Sequence, residues 1–190
     1  MKVRSFLLSN QESYLLHYGI PGMKWGVRKK TSGQTLFISG SSKTQDKTSP
    51  YYQRKLPKPV RQQIKQSIKA RDMIIVGDAP GIDRQAQHYL KRKHYKNVEV
   101  YGPGTKVRYS ANAKWKTNPI NDPDHEPFSS EWLAKKDKAM TDRATKGLAV
   151  ILNEGSKATR NNIARMQGQG KSSVVYELYP RKPKHKWYER

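Results

Sequence analysis

Apolar residues in this chain come in short runs set between long polar stretches, and the runs follow two different periods. Thr35-Leu-Phe-Ile38, Met73-Ile-Ile-Val76, Val98-Glu-Val-Tyr101, Leu148-Ala-Val-Ile-Leu152 and Val174-Val-Tyr-Glu-Leu178 are rich in β-branched and other apolar residues. Each predicts a strand, and a continuous run such as Met73–Val76 predicts one buried on both faces. Between the strands the period lengthens. Val60, Ile64 and Ile68 share one face of a helix expected from Pro59 to Ala70, with proline tolerated in its first turn. Ile82, Ala86 and Leu90 do the same for a helix from Ile82 to Lys93. Ser129 or Ser130 reads as an N-cap before Glu131 and Trp132, opening a helix that continues to about Thr145. A last helix is expected from about Thr159 to Gln167.

Five strands alternating with helices predict parallel βαβ units, hence an α/β domain with a doubly wound, mainly parallel five-stranded sheet over residues 35–179. In such a sheet ligands bind outside the carboxyl ends of the strands, at the topological switch point. Three small-residue turns emerge on that edge: Ser39-Gly40-Ser41, Gly77-Asp78-Ala79 and Gly155-Ser156. Gly81 completes the second turn, Asp83 is expected to cap the helix that follows, and Thr159 follows the third turn. A strand that ends in a Gly-rich turn at a helix N-terminus presents unpaired N–H groups, which suit phosphate. No turn is a Walker loop or a Gly-x-Gly-x-x-Gly fingerprint, so the expectation rests on the three turns converging.

Residues 103–130 show little periodicity and many turn formers, which predicts a long loop insertion acting as a lid. Tyr109, Trp115 and Phe128 are its candidates to close over a base or ring. Residues 1–34 read as an N-terminal arm and residues 180–190 as a basic tail. Ser5–Leu8 is too short for the core of a signal peptide, and no apolar run is long enough to span a membrane. Lysine and arginine number 38 against 15 acids, a formal net charge of +23, which favours polyanionic surroundings such as nucleic acid. The chain has no cysteine, which excludes disulfides and thiolate metal sites.

Two stretches carry resemblances. His17-Tyr-Gly-Ile-Pro-Gly-Met-Lys-Trp-Gly-Val-Arg28 resembles a short peptide near the ends of many tailed-phage proteins, notably those encoded among head and capsid genes. It implies phage origin and a docking role for His17, Gly19, Pro21, Gly22, Met23, Lys24, Trp25 and Gly26. The second set, Ile38-Ser-Gly-Ser41, Gly77-Asp-Ala-Pro-Gly-Ile-Asp83 and Gly155-Ser-Lys-Ala-Thr159, resembles the SLOG superfamily of Rossmann-like proteins, relatives of DprA and the LOG phosphoribohydrolases. The resemblance implies that the first and third turns cradle nucleotide phosphates. Ala158 stands where the family usually has a second glycine, and Arg160-Asn161-Asn162 follows Thr159 without the glutamate that serves LOG hydrolysis.

The expectation is therefore a phage-encoded binder of a nucleotide-type small molecule, with no other cofactor and no assigned catalytic residue. Alternatives are a DprA-like DNA-binding protein, a nucleotide N-glycosidic hydrolase using Asp78 or Glu154, or a structural head protein. Expected partners are a phage head or assembly protein through the arm and nucleic acid through the basic surface, with no membrane. A homo-oligomer is a further expected form of self-association. The expected location is the host cytoplasm and the virion, without secretion by a signal peptide. The five histidines are scattered, and Asp122, Asp124, His125 and Glu126 read as a solvated, proline-broken loop in preference to a metal site.

Overall fold

The computed structural model describes the backbone of residues 3–8 and all of residues 33–180. In chain order the elements are β1 (Val3–Leu8), β2 (Thr35–Gly40), α1 (Lys58–Lys69), β3 (Met73–Gly77), α2 (Ile82–Arg92), β4 (Val98–Pro103) and β5 (Lys116–Ile120). They continue with α3 (Ser130–Arg143), β6 (Lys146–Leu152), α4 (Lys157–Gly168) and β7 (Ser172–Leu178). The strands form one sheet in the order β1-β7-β6-β2-β3-β4-β5. Strands β2 to β7 are parallel, and β1 runs antiparallel along β7, pairing Val3 with Leu178 and Leu8 with Ser173.

The architecture is the expected Rossmann-like, doubly wound α/β fold, with two strands beyond the five predicted. One is β1, inside the stretch read as an arm. The other is β5, inside the stretch read as irregular. Its sequence, Lys-Thr-Asn-Pro-Ile, is mostly exposed and carries Pro119. Proline is tolerated because β5 is an edge strand, and an edge strand needs no apolar run.

Alternation along the strands assigns each helix to a face. Leu36, Ile38, Ile74, Val76, Leu148 and Val150 point to one side, where they pack with Val60 and Ile64 of α1 and Ile82, Ala86 and Leu90 of α2. Phe37 and Ile75 point to the other, with Met140 and Ala144 of α3 and Met166 of α4. Ala149, Ile151 and Val175 meet Ile163 of α4 on that same side. Both faces are covered, which is why the strands read as unbroken apolar runs. Ser129 caps α3, its Oγ accepting from the Trp132 N–H at 3.1 Å.

From β2 the chain steps outward through β3, β4 and β5. The α3 helix then returns it to β6 on the opposite side of β2. The switch point therefore lies between β2 and β6, which are paired from Leu36↔Lys146 to Gly40↔Val150.

Candidate functional site

A crevice of about 360 Å³ opens at this switch point, above the carboxyl ends of β2 and β6. Its volume lies at the lower end of the range for small-molecule sites. One wall is the turn after β2. There Ser39 is buried, and the Ser41 N–H donates to the Val150 carbonyl at 3.3 Å, tying the turn across the switch point. Ser41 Oγ accepts from the Lys43 N–H at 3.2 Å, placing Lys43 at the rim.

The opposite wall is the N-terminus of α4. Ser156, left-handed at φ 61°, precedes the first turn, and its Oγ accepts from the Leu152 N–H at 3.0 Å. No side chain caps the helix. The N–H groups of Lys157, Ala158 and Thr159 have no intrahelical acceptor by position, and all three residues line the crevice. The partial positive charge of the helix end and the Lys157 ammonium both favour an anion there.

The floor is ionic. Lys136 Nζ donates to Asp137 Oδ1 at 2.6 Å, and Asn162 Nδ2 donates to Asp137 Oδ2 at 3.1 Å. Asp83 is 6% exposed, and its Oδ1 has no hydrogen-bond partner among the described residues. Burial pushes its pKa up to about 7; Lys136 opposes the rise, and Asp137 and Asp78 add to it. Burial works against the charge of Lys136, yet Asp137 and Asp83 hold its pKa above the ordinary lysine value. A methyl group on Gly77 would overlap the Asp83 carboxylate, so only glycine lets the acid sit under the end of β3.

The structure brings Ser39, Gly40, Ser41, Ala79, Asp83, Ser156 and Thr159 together around the crevice. Four other expected contacts do not line it. Gly77 makes room for Asp83, as above. Gly81, at φ 89°, lies so close to the Ser41 backbone that no side chain fits. Gly155, at φ 90°, is exposed and serves the turn into α4. Asp78 is fully buried and engaged by Arg108. Arg108 donates its N–H at 2.8 Å and Nε at 2.9 Å to Oδ2, and Nη2 at 2.5 Å to Oδ1. That bidentate pair uses both oxygens, so Asp78 is not free to act as a base or to accept from a ribose. Glu154, the other acid suggested for catalysis, is exposed and is not part of the lining. Asp83 is also not a helix cap. Gly81 occupies the N-cap position, and Asp83 turns inward from the first turn.

The lid expectation is corrected in its details. Trp115 is buried in the core, its Nε1–H donating to the Tyr95 carbonyl at 2.9 Å. Tyr109 lies against His88 and under the Arg84 guanidinium, and Phe128 is 70% exposed beside Trp132. None of the three faces the crevice; Arg108 is what this segment contributes. Asp122 is buried, and its carboxylate accepts from Lys135 Nζ at 2.8 Å, the Asp124 N–H at 3.3 Å and His125 Nδ1 at 2.9 Å. Lys135 above all, with His125 and the Asp124 N–H, holds its pKa below the ordinary value.

Sequence reasoning missed Lys43, Arg108, Lys136, Asp137, Lys157 and Asn162. The available signal was weak: Lys136 stands at the helical spacing of Trp132 and Met140, on the buried stripe of α3.

Fold and crevice together define a Rossmann-like α/β protein with a charged cleft at its switch point. Residues 9–32 match a family of unknown function (DUF7211). That match contains the His17–Arg28 peptide; the peptide and the basic tail from 181 onward lie outside the described residues. Comparison with curated proteins gives no match. No helix among the described residues is long and apolar enough to cross a membrane.

Proposed function

We propose that this chain binds a nucleotide or nucleotide-derived ligand in the switch-point crevice. One observation carries the reading: the turn after β2 and the uncapped N-terminus of α4, far apart in sequence, form opposite walls of a single cleft with Lys43 and Lys157 beside it. The ligand's phosphate would sit against the N–H groups of residues 157–159 and the hydroxyl of Thr159. Asp83, with a free buried oxygen, would accept a hydroxyl or amino group from the rest of the ligand. The role is one of binding, in keeping with the SLOG-like turns. The same reading takes residues 17–28 as a docking peptide for a phage head or assembly protein. The separate family match over residues 9–32 supports an arm that recurs as a unit of its own.

Native mass spectrometry of the protein purified from cells, with Ala158→Asp as control, tests the pocket. A phosphate-containing mass that co-purifies with the wild type and is lost in the folded variant is the expected result. A mass retained equally by both would place the ligand elsewhere. No mass, together with no thermal shift in a panel of nucleotides, would overturn the reading.

A further inference from the structure

We infer that the outer face of the α1–α2 layer is a docking surface for the phosphate backbone of double-stranded nucleic acid, separate from the crevice and independent of its ligand. Between Arg54 and Asn97 the chain carries twelve lysines and arginines against three acids, Asp72, Asp78 and Asp83. All three acids are buried. Two are neutralised by cations from outside this segment, Asp72 by Lys146 at 2.6 Å and Asp78 by Arg108. Asp83 faces Lys136, also from outside the segment. Among the described residues none of the twelve cations pairs with an acid, whereas on α3 Lys135, Lys136 and Lys138 all do. Single cations elsewhere, such as Lys106 and Lys114, also lack an acid partner among the described residues. Residues 98–145, however, carry eight lysines and arginines against seven acids, so the excess is concentrated in the α1–α2 segment.

The arrangement fits a backbone of phosphates. Lys58, Arg61, Lys65 and Lys69 recur at helical spacing along α1 and form a stripe about 16 Å long at ~1.5 Å per residue. That length spans roughly five phosphates of one strand at ~3.4 Å each. Arg84, His88 and Lys91 make a second row on α2, which touches α1 where the Tyr89 hydroxyl donates to the Arg61 carbonyl at 3.4 Å. The field of this face also acts on its histidine: burial first, then Arg92, Lys91 and Arg84, hold the pKa of His88 below its ordinary value. A membrane surface is the poorer partner. The apolar residues Val60 and Ile64 of α1 are in the core, and among the described residues the one exposed large hydrophobic side chain is Phe128, which is not on these helices.

The test uses the full chain and a mixed-sequence DNA duplex of about 20 base pairs, roughly two helical turns. Fluorescence anisotropy is measured at several salt concentrations from about 50 to 200 mM. Lys65→Glu/Lys69→Glu/Lys91→Glu reverses three exposed charges on the face. Lys182→Glu/Lys184→Glu/Lys186→Glu reverses three in the tail, so both variants change net charge equally. The wild type is expected to bind with a log–log salt slope of about −4 or steeper. The face variant should lose at least about tenfold in affinity and flatten the slope by ~3, while the tail variant loses less. Equal losses in both variants, or a loss confined to the tail variant, would overturn the proposal. So would absence of duplex binding, including the case where the chain instead binds vesicles containing phosphatidylserine. A nucleotide bound in the crevice should leave every one of these values unchanged, which separates this test from that of the pocket.

Discussion

Replacing Asp83 with asparagine should stabilise the protein at alkaline pH and impair its crevice. The carboxyl is almost wholly buried, and burial raises its pKa from the ordinary 3.8 to about 7. Between those values the folded state binds more protons than the unfolded chain, so stability falls as pH rises through the window. Below about pH 4 the group is neutral in both states and the penalty is absent; above about pH 7 it is present in full. At ~1.36 kcal/mol per pH unit the span from 3.8 to about 7 corresponds to about 4 kcal/mol. Asparagine keeps the shape without the charge. Lys136 retains Asp137 at 2.6 Å, so the substitution orphans no buried ammonium. D83N should therefore exceed wild type by up to about 4 kcal/mol near pH ~8.5 and by almost nothing near pH ~4. Urea unfolding of both proteins across that range, with the m-value checked for constancy, measures the difference. A gap that does not vary with pH, or one that widens toward acid, would refute the reasoning. In the same samples the more stable variant should bind the crevice ligand more weakly.

Other substitutions probe the remaining parts of the site. Ala158→Asp places a carboxylate in the first turn of α4, where the helix end favours it by ~0.3–1 kcal/mol. Against a phosphate ~4 Å away at an effective dielectric of ~20 it costs about 4 kcal/mol, so thermal unfolding should hold or rise while affinity falls roughly a thousandfold. Arg108→Met leaves Asp78 buried and unpaired, which should cost ~3–5 kcal/mol in denaturant unfolding. Adding Asp78→Asn should recover much of that loss, and an additive double variant would count against the pair. Gly40→Ala puts a methyl 2.6 Å from Ile82 Cβ, where α2 enters the sheet. It should lower stability by ~1–3 kcal/mol, measured by thermal melting, with no dependence on pH.

Five of the six parallel strands and the four helices were legible because burial on both faces of a sheet writes continuous apolar runs, as in Leu148–Leu152, and helices write Val60-Ile64 and Ala86-Leu90 pairs. The strand β5 escaped because an edge strand has no second neighbour to bury it, so Lys116–Ile120 carries no apolar signature. The β1 strand escaped for a related reason: a single antiparallel partner at the rim makes no demand for a long run.

For the site, the order of strands and helices along the chain was enough to tell which turns reach the binding edge. Small residues at Ser39–Ser41 and Gly155–Ser156 follow strands whose parallel order is implied by the alternation of elements. It could not rank the acids. Asp78 follows β3 and Asp83, five residues on, lies in the first turn of α2, yet one is closed off by Arg108 and the other keeps an unpartnered oxygen among the described residues. That difference depends on Arg108 arriving from the loop after β4 and Lys136 from α3, and electrostatic partners are set by distance in space. Chain order determined the edge on which the site lies. Tertiary packing decided which charges face it, because only the folded chain brings residues 83, 108, 136 and 157 within reach of one another.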